Sequence, residues 1–395
     1  MSQSSDLSFS SNCLVAKERL SNFYLWMISA GFFLYNYLIG NNYLPAGHVG
    51  LYSFSSLFYL CCMGYLYRYD LGKIRFDLLL FWVTIFIFSV FLLTIVYYLF
   101  DLPSSNYSLS LFTANLKFII QYTSLLFAAY FVKVGRMRKV ILYSFVLLSC
   151  LIFSNIDYNY LIFTYGYSAD SNLIASYQGM ASSYLMLLIL LLVATRRKDV
   201  KLLFAFVGMV ALFFIGARTQ FVMGAMIFTL MLFKYHPKFT FILMFIGGIS
   251  LCFYPEILLM HDSRIFNLFH LAHDTSFKAR IQMFDAGIQD IINHPILGVY
   301  GGQVYYFDDL GSYIHNALSV WRQFGVFVFL VYVYVIMRSF SALFIYARKS
   351  SSVEIVLFYA IAIIVGLTFS QNYENATVAF IVGAALRCLS IKEKT

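Results

Sequence analysis

Apolar residues occur in long runs, separated by short polar breaks, along almost the whole chain. A run of about 16–24 apolar residues is long enough to cross the hydrocarbon core of a bilayer as a helix. Helices satisfy their backbone polar groups internally, whereas an open strand in hydrocarbon would leave them unpaired. The pattern predicts twelve spans, at residues 23–39, 51–67, 78–100, 109–132, 140–156, 175–194, 202–217, 219–233, 239–254, 317–337, 352–370 and 376–390. We expect an all-α, polytopic transmembrane protein in which residues 1–395 form a single integral membrane domain.

The longest polar break covers residues 255–316, between the ninth and tenth predicted spans. It holds five of the seven histidines of the chain, together with Arg264, Lys278 and Arg280. Transporters built from two matched halves usually show matching interruptions in both halves, whereas this break is single and late. The asymmetry favours an enzyme with a catalytic loop at 255–316 over a carrier.

Composition supports a membrane protein and excludes a soluble one. Hydrophobic residues make up 61% of the chain and charged residues 11%, and a soluble domain cannot bury that much apolar surface. Most of the 27 Lys and Arg residues lie in alternate breaks, on one side of the twelve-span topology. By the positive-inside rule both termini are cytoplasmic and the 255–316 loop lies on the outer side. The net charge of +9 therefore reflects topology and does not indicate a nucleic-acid partner.

Six basic residues are not explained by topology, because they fall in the outer half of the membrane or in the outer loops. They are Lys117, Arg218, Arg264, Lys278, Arg280 and Arg322. An ionisable group within a span is costly and usually marks a protein interior or a substrate path. The alternative is ion pairing with outer-side acids such as Glu256 or Glu374. Arg264 and Lys278, which are simply loop residues, suit this alternative equally well.

Arg218 and Thr219 lie at the outer junction of the seventh and eighth predicted spans, directly after Gly216 and Ala217. A guanidinium group suits phosphate because its planar fork donates paired, charge-assisted hydrogen bonds. The N-terminal end of the eighth helix adds a dipole that attracts anions. The alternative interpretation is an interfacial arginine that reaches the lipid headgroups.

An amphipathic helix is predicted at residues 276–293, inside the long loop. Its apolar positions recur at helical spacing, at Phe277, Ile281, Phe284, Ile288 and Ile291, as in a helix that lies on a membrane interface or dips into it. Arg280 borders this apolar stripe, where a cation would meet a phosphate at headgroup depth, whether of a substrate or of bulk phospholipid. The helix is predicted to end at 293–295, where a proline forbids its continuation.

His315 opens the tenth predicted span and is a candidate general base, because its ordinary pKa is close to neutral pH. A structural histidine is the alternative. Asn316 beside it could orient the imidazole ring or bind a sugar hydroxyl. Trp321 and Arg322 follow one to two turns deeper and could line the same cavity.

A metal site is the other use that the loop histidines suggest. His270 and His273 have the i, i+3 spacing that can place two ligands on one helix face. Nothing else in the loop defines a coordination geometry, and the six cysteines show neither metal-ligand nor disulfide spacing. The sequence therefore predicts no metal and no cofactor.

Several short motifs occur in a characteristic order between residues 200 and 340. They are Ala217-Arg218-Thr219, Ala279-Arg280, His294-Pro295 with Leu297-Gly298, His315-Asn316, and Phe324-Gly325 within the following span. In these motifs the chain resembles the superfamily of O-antigen polymerases and O-antigen ligases, bacterial membrane proteins of polysaccharide synthesis. The N-terminal half matches this superfamily only as a series of spans.

The resemblance implies a C-type glycosyltransferase (GT-C-like) architecture in the bacterial inner membrane, with a periplasmic active site and an inverting, metal-independent reaction. A glycan on undecaprenyl diphosphate would be transferred to an acceptor hydroxyl. Arg218 and Arg280 would bind the diphosphate, and His315 would activate the acceptor. The remaining predicted substrate-binding residues are Thr219, Asn316, Trp321, Arg322, Lys278 and Arg264. The implied partners are lipid-linked oligosaccharide as donor and acceptor, membrane lipids and a chain-length regulator.

The polymerase and the ligase share these motifs, and we favour the polymerase. The Trp321-Arg322-Gln323-Phe324-Gly325 run resembles polymerases, whereas ligases often carry Glu-x-Gly there. The run Gly298-Val299-Tyr300-Gly301 departs from the plainer Gly-x-Gly of the superfamily, which puts the sugar-side pocket in doubt. A ligase that uses lipid A core as acceptor, a flippase for lipid-linked oligosaccharide and a scaffold protein are the alternatives.

Overall fold

A computed structural model describes residues 2–44, 50–68, 77–100, 107–164, 177–253, 265, 275–308, 310–311 and 313–392. Its α-helices are Ser2–Trp26 (α1), Phe32–Gly40 (α2), Leu51–Tyr67 (α3), Leu78–Leu99 (α4), Ser108–Phe131 (α5), Arg138–Ser154 (α6), Tyr177–Ala194 (α7), Lys198–Ile215 (α8), Arg218–Tyr235 (α9), Pro237–Phe253 (α10), Thr275–Asn293 (α11), Gly302–Phe307 (α12), Leu318–Ala347 (α13), Ser351–Phe369 (α14) and Thr377–Lys392 (α15). A π-helical turn, Met27–Gly31, joins α1 to α2, and a 3-10 turn, Val134–Met137, precedes α6. Two short strands, Ile156–Asp157 (β1) and Ile162–Phe163 (β2), pair antiparallel.

Each predicted apolar run coincides with a helix in the described part of the chain. Seven helical segments there are long and apolar enough to cross a membrane: Asn12–Gly40, Leu78–Leu99, Ser108–Phe131, Val134–Ser154, Tyr177–Ala194, Leu318–Ala347 and Ser351–Phe369. The prediction of a polytopic helical membrane protein is confirmed. The count of twelve spans stays a prediction, because the other helices are shorter or carry charges at their ends, as α8 does with Lys198, Asp199 and Lys201.

The interior of the bundle is built around α7, whose side chains are buried on all sides from Tyr184 to Leu192. A helix that is apolar around its whole circumference belongs in a core. In the same core, α5 packs closely against α15, where Gly383 lies against the carbonyl oxygen of Leu126. Phe81, Phe206 and many other large apolar side chains remain exposed on the outer faces of the helices, as expected of helices that face lipid.

Helix α13 is interrupted at Gly325, and the turn after α11 fills the interruption. Gly325 has φ 80° and ψ 176°, which residues with a side chain rarely adopt. The Arg322 carbonyl oxygen, freed from its helical partner, accepts a hydrogen bond from the Val299 amide at 2.5 Å. The Val326 amide donates to the Pro295 carbonyl oxygen at 3.2 Å. Two motifs that were separate in the sequence, His294-Pro295 and Phe324-Gly325, are therefore one structural unit.

Gly325→Ala is expected to destabilise the protein strongly. Alanine is strained at this backbone conformation, and its Cβ would collide with the carbonyl group of Ile296. We expect a loss of about 2–4 kcal/mol, measured as a lower thermal midpoint of the detergent-solubilised protein. Gly64→Ala in α3 is the matched control, because a Cβ there meets nothing within 4 Å and alanine is the better helix former. Equal midpoints for the two variants would contradict the prediction.

Candidate active site

Helix α11 brings Arg280 toward the segment that contains His315. Gly287, two turns after Arg280 on the same helix face, is buried against the side chain of Ile314. Asp290 and Ile291 extend the buried face of α11 toward α13. Ile314 directly precedes His315, and Gly287 lies on the same face of α11 as Arg280. This packing therefore brings the face of α11 that carries Arg280 toward His315.

The apolar stripe predicted for this helix is divided in the structure. Ile291 is buried, whereas Ile281 and Phe284 are exposed, because the helix packs through Gly287 and Asp290 and turns the first part of the stripe away from the bundle. The exposed part is free to contact a membrane interface, and the interfacial position of the helix stays a prediction. Arg280 is half-buried beside the stripe.

The His315 imidazole is half-buried and lies against the Tyr313 ring, with 4.7 Å between ring centroids. Burial, together with the positive charge of Arg280, lowers the pKa of His315 from 6.5 to about 4. The dependence on Arg280 means that the two side chains, 35 positions apart in the sequence, are electrostatic neighbours. At neutral pH the imidazole is uncharged and has a lone pair that can accept a proton.

Asn316 begins α13. Its side-chain oxygen accepts a hydrogen bond from the Leu318 amide at 2.9 Å, and its carbonyl oxygen accepts one from the Ser319 hydroxyl at 2.7 Å. These contacts satisfy donors at the start of the helix. The Ala317 amide donates to the Leu367 carbonyl oxygen at 2.7 Å. The segment after His315 is therefore tied to the end of α14.

Arg218 and Thr219 are the first two residues of α9, and both are half-buried. Gly216, in the left-handed conformation with φ 78°, ends α8 immediately before them. Further along α9, Met223 contacts the side-chain amide of Gln371 at 3.6 Å, in the turn at 370–376. The Tyr373 amide of that turn donates to Ser319 at 3.2 Å. Arg218 and His315 thus lie at the same end of the helix bundle.

Trp321 and Arg322 hold the loop against α13. The Trp321 indole N–H donates to the Pro295 carbonyl oxygen at 2.7 Å, and its ring stacks on Phe329. Arg322 is buried, with its Nε 2.7 Å from a carboxylate oxygen of Asp290. A substrate-binding role for both residues stays a prediction.

Lys278 is exposed on α11, and its predicted substrate-binding role also stays a prediction.

Arg264, His270 and His273 lie outside the described residues, so the structure tests neither the predicted role of Arg264 nor a metal site at the two histidines. Within the described ranges, no group of three or more His, Cys, Asp or Glu side chains could hold a metal ion.

Two acidic residues near this end of the bundle were not predicted as site residues. Asp290 pairs with Arg322, and Glu374 is half-buried in the turn at 370–376. Burial raises the pKa of the Glu374 carboxyl above its usual range, although hydrogen bonds to Asn372 and Tyr373 oppose this effect. For Glu374 the signal in the sequence was the polar run at 371–375, because topology alone does not require polar residues between the last two spans.

The comparisons with known proteins add little to this description. No protein-family model matches the sequence, and no curated protein matches it. One similar solved chain comes from a structure described as "Structural coordination of polymerization and crosslinking by a peptidoglycan synthase complex", with a TM-score of 0.43 and 11% identity. The similarity covers 78% of this chain and 97% of that chain. So distant a likeness defines no shared function. The class that the fold itself defines is a polytopic helical membrane protein.

Proposed function

We propose that this protein is a membrane glycosyltransferase that extends a lipid-linked polysaccharide, with undecaprenyl-diphosphate-linked oligosaccharide as donor and a second lipid-linked repeat unit as acceptor. The observation that carries the proposal is the packing of Gly287 of α11 against Ile314, which brings Arg280 toward His315 at the same end of the bundle as Arg218; burial and the charge of Arg280 lower the pKa of that imidazole. A fixed cation beside a proton acceptor suits a reaction in which a phosphate leaves and a hydroxyl attacks.

In the proposed reaction the acceptor hydroxyl attacks the anomeric carbon of the donor sugar from the side opposite the diphosphate. A new carbon–oxygen bond forms, the bond to the phosphate oxygen breaks, and the configuration inverts. The hydroxyl proton passes to the imidazole of His315. The departing lipid diphosphate carries the electron pair, and Arg280 and Arg218 stabilise its developing charge where little water competes.

The pH dependence of this reaction should report the environment of His315. Because the imidazole accepts a proton only when uncharged, its pKa of about 4 keeps it competent above that pH. We expect kcat/KM to stay level from about pH 8 down to about pH 5 and to fall only below, rather than near the ordinary value of about 6.5. Arg280→Gln removes one cause of the lowered pKa, so the acid limb of its residual activity should move upward. An acid limb near 6.5 in the wild-type enzyme would oppose this assignment.

A flippase is the alternative from another class, and the distribution of buried charge disfavours it. A path through the membrane needs polar groups along its length. In the described residues none of the buried charged side chains lies in the middle of a span-length apolar segment. Lys17 and Glu18 lie near the start of the Asn12–Gly40 segment, beside the α5–α6 junction, Lys201 lies in the first turn of α8, and Asp290 and Arg322 lie beside the candidate site. The ligase stays open, since its acceptor would meet the same residues.

The decisive experiment uses the purified protein in detergent or nanodiscs, where there is no second membrane compartment. Lipid-linked repeat units are supplied with and without lipid A core oligosaccharide, and the products are separated by length. Elongation with repeat units alone supports the polymerase and excludes a pure carrier. Transfer only when the core is present identifies a ligase. Absence of any glycan transfer under both conditions would overturn the proposed class of reaction.

A further inference from the structure

A buried ion pair joins α11, which carries Arg280, to α13, which begins just after His315. Asp290 of α11 and Arg322 of α13 approach to 2.7 Å, with side-chain exposures of 4% and 1%. By contrast, Lys234, which pairs with Glu354 at 3.1 Å, is 60% exposed. A pair at the surface contributes little and tolerates loss of a partner, whereas a buried pair that loses one partner leaves an uncompensated charge.

Three elements meet at this pair. Gly302, at the start of α12, lies so close that a Cβ would be 2.7 Å from the Asp290 carboxylate and 3.0 Å from Nη2 of Arg322. A Cβ on Gly287 of α11 would be 3.4 Å from the Arg322 side chain. Among the described residues neither terminal nitrogen of Arg322 has a hydrogen-bond partner. The guanidinium is therefore held mainly by Asp290, so the pair is the polar side-chain contact between α11 and α13.

The pair is well placed to control the candidate site. Asp290 lies ten residues after Arg280, about 15 Å along the same helix, and Arg322 lies in the second turn of α13, which begins three residues after His315. Between them, Gly287 contacts Ile314 next to His315. A rotation or slide of α11 on α13 would therefore move Arg280 relative to the imidazole. Displacement of a catalytic group by about 1 Å can reduce a rate about 100-fold.

We propose that Asp290 and Arg322 are positioning residues, which act through α11 and α13 to hold Arg280 beside His315. The catalytic consequence rests on the proposed glycosyl transfer, whereas the positioning itself is a property of the fold. The pair need not add stability, because a buried ion pair can often be replaced by apolar residues at little or no cost. What it adds is a specific polar contact in the middle of the α11–α13 interface, beyond the hydrogen bonds that tie Pro295 and Val299 to α13.

The test measures geometry and turnover separately. Spin labels are placed at Gln282 of α11 and Phe327 of α13, both exposed, after the six native cysteines have been replaced. The distance between the labels is measured by electron spin resonance in the full-length protein in nanodiscs. Asp290→Asn is expected to broaden the distance distribution, and Glu354→Gln, the matched control, to leave it unchanged. A narrow, unchanged distribution in Asp290→Asn would overturn the proposal whatever the protein catalyses.

Turnover is measured on the same variants without labels. We expect Asp290→Asn to lower kcat about 100-fold with little change in KM, and to raise the acid limb of the pH profile because Arg280 is no longer held beside His315. Arg322→Lys keeps the positive charge beside Asp290, so it should lower kcat less than Asp290→Asn does. Unchanged kcat and pH profile beside a broadened distance would overturn the catalytic part of the proposal. An inactive wild-type protein would instead count against the glycosyl transfer, and the distance measurement would still decide the positioning.

A second variant guards against simple misfolding. The double substitution Asp290→Leu with Arg322→Met replaces the pair by apolar side chains and leaves no buried charge unpaired. We expect it to fold with a thermal midpoint close to that of the wild type, yet to show the broadened distance and the reduced kcat. A double variant with wild-type distance and turnover would show that packing alone positions α11, and the proposal would fall.

Discussion

His315→Ala is expected to abolish glycan elongation while the protein remains inserted and folded. General base catalysis contributes about 100-fold to 10,000-fold to a rate, and the variant lacks the imidazole that we assign as the proton acceptor. Stability should change little, because removing His315 leaves no buried charge without its partner. The measurement is the single-turnover rate of purified protein with lipid-linked repeat units, together with the thermal midpoint of each sample.

His236→Ala is the control for this variant, since His236 is exposed at the end of α9 opposite Arg218. It should elongate glycan at the wild-type rate. His315→Gln, which keeps a polar side chain but supplies no comparable base, should be as inactive as the alanine variant. Loss of a general base should lower the rate at least about 100-fold. If His315→Ala retains more than about a tenth of the wild-type rate, the imidazole is structural and the proton acceptor is another group.

The Arg218→Ala, Arg280→Ala double variant is expected to show the other large loss. Removing one group that stabilises developing charge typically costs about 100-fold to 1,000-fold in rate. With both guanidinium groups absent, neither residue stabilises the charge that develops on the leaving diphosphate. We therefore expect no long polysaccharide. Lysine at either position should restore part of the activity, because it keeps the charge but not the planar fork that binds two phosphate oxygens.

Arg197→Ala is the matched control, because Arg197 is exposed directly before α8, at the end of that helix opposite Gly216. Expression, insertion and thermal midpoint are compared for all variants, and product length is determined by gel electrophoresis. Long polysaccharide made by the double variant at the wild-type rate would mean that neither arginine stabilises the leaving group. The proposed mechanism would then be wrong even if the protein transfers sugars.

The loop after the ninth predicted span shows where prediction from sequence was limited. The helix at 276–293 was predicted from its periodicity and is observed at Thr275–Asn293. Its packing face was not predictable, because the choice between apolar stripe and glycine face depends on what lies opposite. Asp285 and Asp290 are the same residue type on the same helix, yet one is exposed and the other is buried against Arg322.

The sequence by itself determined the helical membrane class, since hydrocarbon leaves a long apolar run no other way to satisfy its backbone polar groups. It also singled out Arg218, Arg280 and His315, because charged and titratable side chains are conspicuous where lipid and topology do not account for them. Only the tertiary structure decided which of these are neighbours. Contacts such as Val299 with Arg322 or Gly287 with Ile314 depend on the matching of two distant surfaces, and no local pattern in either segment encodes its partner.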